Sequence, residues 1–405
     1  MTSQARPVGG PLLTPTFKTM LFLWAAATGV GVVRFTHGLG AVTAMSDGYP
    51  WGLWIAFDVV VGTGLASGGY AIALLVFVFN RGHYHPLVRP ALLTSLLGYA
   101  VAGVAVFFDV GRYWGLAKVP FMFWSWNGTS VLLEVALCMM IYVAVLAIEL
   151  APALLERWDA DGRGRRAEVA RRWLPRLRRA LPIVIALGLV LPTMHQSSLG
   201  ALLLVAGTKL HPLWHTGALP LLFLLTAFSM GYAVLYFESI FSSVAFGRPL
   251  ETRLLGKLGA FVGGTILAFL AVRLAALIGA DRAGLAFTSG TRSFFFWAET
   301  LLFLAAAVLF LQQWVHARAS TQLQAALLAL AAGALYRIDA FLVAFDPGAG
   351  WRYFPSLGEI VITLGFVATE TMAYLVVVRR FPILAGVSAP ARAVAPAPLS
   401  QGAVS

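Results

Sequence analysis

Long apolar runs separated by short polar segments recur along the whole chain. Ten of them are long enough to cross a bilayer, since about 20 helical residues span roughly 30 Å of hydrocarbon. The predicted spans are residues 17–41, 51–80, 86–112, 127–153, 180–207, 212–246, 250–279, 292–316, 320–345 and 356–380. The pattern predicts an all-α integral membrane protein with no soluble domain. Residues 1–16 would form a cytoplasmic N-terminal tail, residues 17–380 the polytopic membrane domain, and residues 381–405, rich in Ala, Pro and Ser, a disordered cytoplasmic tail.

The composition agrees with a lipid environment. Hydrophobic residues make up 60% of the chain and charged residues 11%, whereas soluble domains carry roughly 25% charged residues. A water-soluble fold could not cover this much apolar surface with polar groups. A bilayer removes that need, because lipid itself is the solvent of the outer surface.

The net charge of +12 at first suggests a nucleic-acid partner. The basic residues, however, lie mostly in short segments between apolar runs, where membrane topology and anionic headgroups account for them. Of the 29 basic residues, 20 fall on the side of the two termini, nine of these in the loop between the fourth and fifth spans. Nine fall on the other side: Arg34, Arg112, Lys118, Lys209, Arg273, Arg282, Arg292, Arg337 and Arg352. Because positive residues stay inside, both termini are predicted to be cytoplasmic.

The cysteine and histidine content restricts the possible redox centres. Cys138 is the only cysteine, which excludes disulfides within the chain, a cysteine-ligated iron–sulfur cluster and a structural zinc site. A b-type haem usually needs two facing histidines inside a bundle. Of the seven histidines only His195 lies well inside a predicted span. We therefore expect no haem, and interpret His195 as a quinone hydrogen-bonding or proton-relay group, or as a packing residue.

Ionisable side chains within the spans carry the main functional signal. Each costs at least ~2.5 kcal/mol at the membrane centre unless it finds a partner or water. They include Asp58, Asp109, Glu134, Glu149, His195, Glu238, Glu299, Arg337, Asp339 and Glu370. A proton route with a polar ligand site is one interpretation. Salt bridges and hydrogen bonds that merely join helices are the other.

The spacing favours a polar track through the second to fifth spans. Glu134 and Glu149 are 15 residues apart, close to a whole number of turns, so they share a helix face. Tyr99 and His195 lie near the middles of the third and fifth spans. Asp109 and Arg112 are three residues apart at the end of the third span, and we expect them on one face. Carboxyl, phenol and imidazole groups can each relay a proton.

Several strings resemble one known family. They are "GYPWGLWIAFDVVVGTGLASGGYA" (48–71), "VFNRGHYHPLVRPALL" (78–93), "DVGRYW" (109–114), "LPTMHQSS" (191–198), "HPLW" (211–214), "LVAFDPGAGWRYFP" (342–355) and "GFVATE" (365–370). They resemble the HybB-type membrane subunits of hydrogenase-2, within the wider NrfD/PsrC-like family. The similarity extends over roughly residues 7 to 385. The Arg-rich loop between the fourth and fifth spans is the chief departure.

The resemblance implies a fold and partners. Members contain eight to ten helices with two four-helix bundles at the core. They are implied to carry no haem and no iron–sulfur cluster, and to sit in the bacterial inner membrane. A periplasmic ferredoxin-like iron–sulfur subunit, itself joined to the large and small subunits of a [NiFe] hydrogenase, would exchange electrons with menaquinone or ubiquinone held by the membrane subunit. Proton translocation through the membrane subunit would accompany this reaction.

The resemblance also implies site residues. The positions implicated in quinone and proton handling correspond to Tyr99, Glu134, Glu149, His195 and Glu238 here, and Asp58, Asp109 and Arg112 lie in matching motifs near the expected quinone pocket. Three alternatives stay open. One is the quinone-linked anchor of another oxidoreductase of the family, acting on polysulfide or through molybdenum. The others are a proton-coupled secondary transporter and a pure membrane anchor for a periplasmic enzyme.

Overall fold

The computed structural model describes residues 5–160, 162–312 and 318–387. Within these ranges, ten helices are long and apolar enough to span a membrane, which confirms the ten predicted spans. In chain order they are α1 (Pro15–His37), α2 (Trp54–Val78), α3 (Gly82–Asp109), α4 (Val131–Ala160), α5 (Arg165–Val205), α6 (Leu219–Phe246), α7 (Thr252–Gly279), α8 (Thr291–Leu311), α9 (Ala319–Val343) and α10 (Leu357–Arg380).

The ten helices form two four-helix bundles and a flanking pair. Helices α2 to α5 pack in a closed ring, and α6 to α9 form a second ring. The rings join where α2 contacts α6 and α9 and where α5 contacts α6, so α2 and α6 lie at the centre of the molecule and are the most buried spans. Helices α1 and α10 pair with each other against α2 and α3. The predicted two-bundle architecture with flanking helices is confirmed.

The described ends of the chain meet on one face, here called the terminal face. The backbone of Arg6 bonds to Leu384 over 3.1 Å, and Val8 bonds to Val378 over 3.0 Å. Ile383 and Leu384 are buried in this contact, although the sequence places them in a disordered tail. Residues 388–405 of that predicted tail lie outside the described ranges. The opposite face, called the loop face, is where Leu210 forms a bridge with Phe345.

The Arg-rich segment predicted as a loop is helical in the structure. Helix α5 runs for 41 residues, which is about 62 Å at 1.5 Å per residue. This length exceeds the full bilayer, about 40–45 Å with its headgroup regions, by roughly 20 Å. Its extension packs along the end of α4 through the fully buried Ala167 and Ala170. Arg171 pairs with Asp159 across this hairpin over 3.6 Å. Arg, Ala, Leu and Glu are good helix formers, so propensity and charge pairing together extend the helix into water.

Helix α2 departs from regular α geometry. Its first two turns, Trp54–Val61, and its last, Leu74–Val78, are π-helical. Between them the helix is interrupted near Ser67, where Gly68 and Gly69 let α6 and α3 approach closely. A π turn also ends α9 at Asp339–Val343. Wide turns of this kind often occur at functional sites, and the first contains Asp58 while the last begins with Asp339.

Candidate functional site

Arg337 lies at the junction of the two bundles. The side chain is fully buried and reaches from α9 to three other helices. Its Nη1 donates to the carbonyl of Val60 over 2.7 Å, and Nη2 donates to the Gln196 side chain over 2.8 Å and the Phe223 carbonyl over 2.9 Å. A longer bond of 3.2 Å reaches Thr226. All of these acceptors are neutral, so no carboxylate among them offsets the positive charge of the guanidinium.

Gln196 connects this cation to the aromatic side chains of the first bundle. Its Nε2 donates to the Tyr99 hydroxyl over 3.1 Å. The Tyr99 ring lies 4.7 Å from that of Tyr142 and 5.4 Å from that of His195, in edge-to-face arrangements. These five residues, Tyr99, Tyr142, His195, Gln196 and Arg337, are all fully buried and are called the interbundle cluster.

Several polar atoms around this cluster make no hydrogen bond to the described residues. They are the Tyr142 hydroxyl, Nε2 of His195 and Nε of Arg337. Nδ1 of His195 lies 3.3 Å from the Val135 carbonyl, which assigns the proton to Nδ1 and leaves a lone pair on Nε2 when the ring is neutral. Buried polar groups normally have partners. Three unpartnered groups together therefore indicate a place for water or a polar ligand.

The predicted quinone-pocket residues lie at different depths. Asp109 ends α3 and is buried, whereas Arg112 follows in an exposed turn, so the expected Asp109–Arg112 pair on one helix face does not form. Arg34 of α1 is the guanidinium in electrostatic range of Asp109, and it donates to the carbonyl oxygens of Phe108 and Val110 over 2.7 and 2.8 Å. The helix ends before Arg112 can share a face, because the chain turns at residue 110.

Asp58 and His195 also belong to separate layers. Asp58 is four residues into α2, about 6 Å below the loop face, while His195 is ten residues, about 15 Å, from the end of α5. The Asp58 carboxylate accepts a 2.7 Å hydrogen bond from Thr363 of α10. The predicted pocket residues therefore lie in two layers, Asp58 near the loop face and His195 deeper in the membrane domain.

The structure separates the predicted relay residues into two groups. Tyr99 and His195 are in the interbundle cluster, and Glu149 lies seven residues below Tyr142 on α4, packed against Gly188 of α5. Glu134 is half-buried in the first turn of α4, next to Val135, whose carbonyl accepts a hydrogen bond from His195. Glu238 is remote from them in the fold, because it lies on α6 and accepts a short hydrogen bond from Tyr374 of α10.

The second bundle contains a separate buried charge cluster. Arg273 of α7 forms a short ion pair with Glu299 of α8, and both side chains are almost completely buried. Asp339 of α9 interacts electrostatically with Glu299. The Arg273 guanidinium lies 4.3 Å from the ring centre of Phe296.

Loop-face contacts stabilise the start of α10. Glu359 accepts from the Tyr353 hydroxyl over 2.5 Å and from the backbone of Ala44 and Ser356 over 3.0 and 2.9 Å. Burial raises the pKa of Tyr353 well above its ordinary value. Nearby, the hydrogen bond from Arg292 lowers the pKa of Asp346. With all its bonds made within the protein, Glu359 is a structural residue that positions the helix start.

Two grooves lie on the outer surface of the helices in the described residues. One of about 410 Å³ lies beside α8, between Phe287, Phe294 and Trp297. The other, of about 470 Å³, lies between α1 and α10 against Trp24 and Met372. Both are apolar, and neither includes a residue of the predicted quinone pocket.

Sequence reasoning missed the neutral members of these networks. Gln196, Tyr142, Thr363 and Tyr374 were not singled out, because an uncharged polar residue in a span carries a weaker signal than a charge. Two local signals could have found them. Gln196 directly follows His195, and Tyr374 follows Glu370 by four residues, one helical turn.

Comparison with known proteins places the chain in a family. The family model described as "Polysulphide reductase, NrfD" matches residues 41–344, and the chain belongs to this NrfD family. It is 42% identical to the "Probable Ni/Fe-hydrogenase 2 b-type cytochrome subunit" of Escherichia coli (strain K12) over 391 residues, covering 95% of this chain and 96% of the relative.

Two further relatives match shorter parts of the chain. The "Menaquinone reductase, integral membrane subunit" of Nitratidesulfovibrio vulgaris is 30% identical over 186 residues, covering 46% of this chain and 42% of the relative. A selenate reductase subunit from Mesobacillus selenatarsenatis is 28% identical over 85 residues, covering 20% of each chain. The family, these relatives and the ten spans support a multi-pass membrane subunit of a respiratory oxidoreductase.

The comparison corrects one expectation. We expected no haem, and the Escherichia coli relative is named a b-type cytochrome subunit, which implies haem and contradicts that expectation. The histidine count was the wrong criterion, because a single axial histidine can hold a haem in some proteins. In the described part of the chain, Nε2 of His195 is buried and unpartnered, with Nδ1 held by a carbonyl as in metal-ligating histidines. The other described histidines lie at helix ends or in loops, so His195 is the described residue that would serve as an axial ligand, and its Nε2 could then not also accept a hydrogen bond from a quinol.

Proposed function

We propose that the chain is the quinone-reactive subunit of a membrane-bound [NiFe] hydrogenase complex. In this proposal a ferredoxin-like iron–sulfur subunit delivers electrons derived from the hydrogenase large and small subunits, and menaquinone or ubiquinone accepts them within this chain. The protein lies in the bacterial inner membrane with its loop face toward the periplasm and its terminal face toward the cytoplasm. The names of the hydrogenase 2 and menaquinone reductase relatives support the electron donor and acceptor.

The unpartnered atoms of the interbundle cluster are the observation that carries this proposal. A quinone presents two carbonyl oxygens, which need donors, and a quinol presents two hydroxyls, which need acceptors. Tyr142 and Arg337 offer unpartnered donors, and the neutral His195 ring offers an acceptor at Nε2. One cluster can therefore bind both forms of the substrate, and His195 can exchange a proton with it.

The charge of Arg337 gives this site its electrostatic character. Reduction places negative charge on the quinone oxygens before protons arrive. A buried guanidinium whose charge is balanced only by neutral oxygens stabilises such charge without needing to reorganise. Gln196 and Tyr99 extend this hydrogen-bonded network toward α3. The loop-face layer with Asp58, Asp109 and the exposed Arg112 lies between this site and the proposed partner.

Protons would reach the cluster along α4 and α5. Glu149 and Tyr142 are on the same face of α4, two turns apart, and Glu149 is the carboxyl nearer the terminal face. Glu134 stands at the loop-face end of the same helix. Tyr99, His195 and these two acids are the proton-transfer residues of the proposal.

Purification of the intact complex from native membranes through a tag on this chain tests the assignment. Mass spectrometry should identify a [NiFe] catalytic subunit, an iron–sulfur subunit and extractable quinone. The optical spectrum should be recorded on the same sample, with His195→Asn as the variant in which the bands of any haem held by Nε2 disappear. A complex containing a molybdenum enzyme would redirect the assignment within the family.

Glu134→Gln tests the proton-transfer part of the proposal. Removing a proton-transfer group lowers rates by on the order of a hundredfold, so hydrogen-dependent quinone reduction should fall while reduction of a one-electron dye stays normal. Glu168→Gln is the matched control, because Glu168 is an exposed acid on the hairpin of α5. Quinone reduction at the normal rate in Glu134→Gln would remove this residue from the route.

A further inference from the structure

Helix α10 carries a line of polar side chains along one face. Thr363, Glu370 and Tyr374 follow Glu359 at intervals of four, seven and four residues. At 100° per residue these spacings keep the four side chains within an arc of about 60°. The other faces of α10 bear apolar residues, several of them in the groove shared with α1.

This face is turned into the protein, toward α2, α3 and α6. The Thr363 hydroxyl donates to Asp58 of α2 over 2.7 Å. The Tyr374 hydroxyl donates in a short bond to Glu238 of α6. Between them, Glu370 packs beside Gly98 of α3, where a Cβ would lie 3.6 Å from Oε1 of Glu370. Three helices therefore contribute to one polar line.

The line covers about half of the roughly 30 Å hydrocarbon thickness of a membrane. Thr363 and Tyr374 are eleven residues apart on α10, which corresponds to about 16 Å. Asp58 lies close to the loop face. Glu238 lies near the terminal face, in electrostatic range of Glu251 and Arg248. Glu370 lies between Thr363 and Tyr374 on the same face of α10, two turns from the former and one turn from the latter, and its carboxyl is in electrostatic range of Asp58.

The protonation of Glu370 follows from its surroundings. It makes no hydrogen bond and no ion pair to any residue in the described ranges. An ionised carboxylate without a partner is very costly in an apolar interior, and such a group keeps its proton instead. A carboxyl that holds a proton between two hydrogen-bonded acids is suited to pass it from one to the other.

We propose that Glu238, Tyr374, Glu370 and Asp58 form a second proton-transfer route, the α10 route, which is separate from the interbundle cluster. It rests on the proposed function, because it supplies one of the two protons that quinone reduction consumes, and the residues of α4 and α5 supply the other. Each quinone takes two electrons from the iron–sulfur partner and two protons to become quinol. A proton that leaves the route at Asp58 passes to the quinone at the interbundle cluster, which Arg337 joins to α2 at Val60, two residues from Asp58. It is replaced at Glu238 from water at the terminal face.

The test uses the purified complex in liposomes with a pH-sensitive dye on the terminal-face side. Glu370→Gln keeps the size of the side chain but removes the exchangeable proton. We expect quinone reduction and proton uptake to fall together by on the order of a hundredfold, with reduction of a one-electron dye unchanged. Tyr374→Phe, which removes only the hydroxyl, should lower both rates in the same direction.

Two variants separate proton transfer from a structural role. Glu370→Asp keeps a titratable group and should recover much of the rate lost in Glu370→Gln. Thr371→Val is the control on the same helix, because Thr371 bonds only to the Val367 carbonyl of its own helix, and its rates should equal those of the unmodified complex.

The outcomes distinguish this proposal from the proposed function. Normal proton uptake and quinone turnover in both Glu370→Gln and Tyr374→Phe would overturn the α10 route and leave the proposed function standing. Equal loss in Glu370→Gln and Glu370→Asp would also overturn it, since a titratable group would then be irrelevant. Absence of quinone reduction in the unmodified complex would reject the proposed function, and the α10 route with it.

Discussion

Arg273 and Arg337 lie at similar depths in two helices of the second bundle, α7 and α9, and the protein accommodates their charges in opposite ways. Each is six residues from the loop-face end of its helix, or about 9 Å. Arg273 pairs with the carboxylate of Glu299. Arg337 instead bonds to two backbone carbonyls and to the side chains of Gln196 and Thr226.

This contrast shows where charge remains available. The Arg273–Glu299 pair cancels within a short distance, so its field falls off quickly and its main effect is to join α7 to α8. Around Arg337 only dipoles are present, and a net positive charge persists between the bundles. In a medium of low dielectric constant that charge acts strongly on neighbouring groups. The ion pair is thus a structural element, and the unpaired arginine belongs to the candidate site.

Breaking the ion pair should have the largest effect on stability. Arg273→Met leaves Glu299 buried without a cation, which typically costs about 3–5 kcal/mol. The thermal unfolding midpoint of the detergent-purified complex measures this loss. The double variant Arg273→Met, Glu299→Leu should recover most of it, because no uncompensated charge remains. A single variant as stable as the unmodified protein would show that the pair contributes nothing.

Cancelling the charge of Arg337 should affect activity instead. Gln196→Glu keeps the shape of the side chain and adds a carboxylate 2.8 Å from Nη2. We expect quinone reduction to fall by on the order of a hundredfold, as when a charge-stabilising group is removed, with little change in the unfolding midpoint. Gln196→Leu is the comparison, since it breaks the link to Tyr99 without adding charge. Normal turnover in Gln196→Glu would show that the positive charge is dispensable.

The exposed pair of Arg292 and Asp346 should have the smallest effect. It is partly open to water and spans 2.9 Å, and such pairs contribute about 0.2–1 kcal/mol. The arginine lowers the pKa of Asp346, so the stabilisation is present above the ordinary carboxyl pKa of about 4. It is lost as pH falls through the lowered value. Unfolding midpoints of the unmodified protein and Asp346→Asn should differ slightly at neutral pH and converge in acid.

The spans could be predicted because hydropathy averages over some 20 residues, and single charges such as Arg273 scarcely change that average. Because the average ignores single residues, it could not predict where those charged side chains lie in the fold. Arg273 and Arg34 were assigned to the side of the loop face, and both are buried against neighbouring helices. The local sequence around Arg273 does not identify its partner Glu299, which lies 26 residues away.

The candidate site was only partly predictable. Tyr99 and His195 were identified, and their rings are in contact. Polar residues in the middle of a span avoid lipid and therefore face the protein interior. The division of the acids between α4 and α10 depends on which faces the bundles turn toward each other. That is a tertiary property, and the 3.6-residue period of Glu134 and Glu149 contains no information about it. The helical hairpin of α4 and α5 was missed because its charges resemble those of a topogenic loop.

The pairing of α1 with α10 has a consequence for biogenesis. The two helices approach so closely that a Cβ on Gly365 would overlap the side chain of Ala27, yet several hundred residues separate them in synthesis. During insertion α1 lies in the membrane without its partner α10 while the eight helices between them are synthesised. A chain that ended before α10 would leave the inner face of α1 without its partner helix. The seam between these two helices can therefore close only after the whole membrane domain has been synthesised.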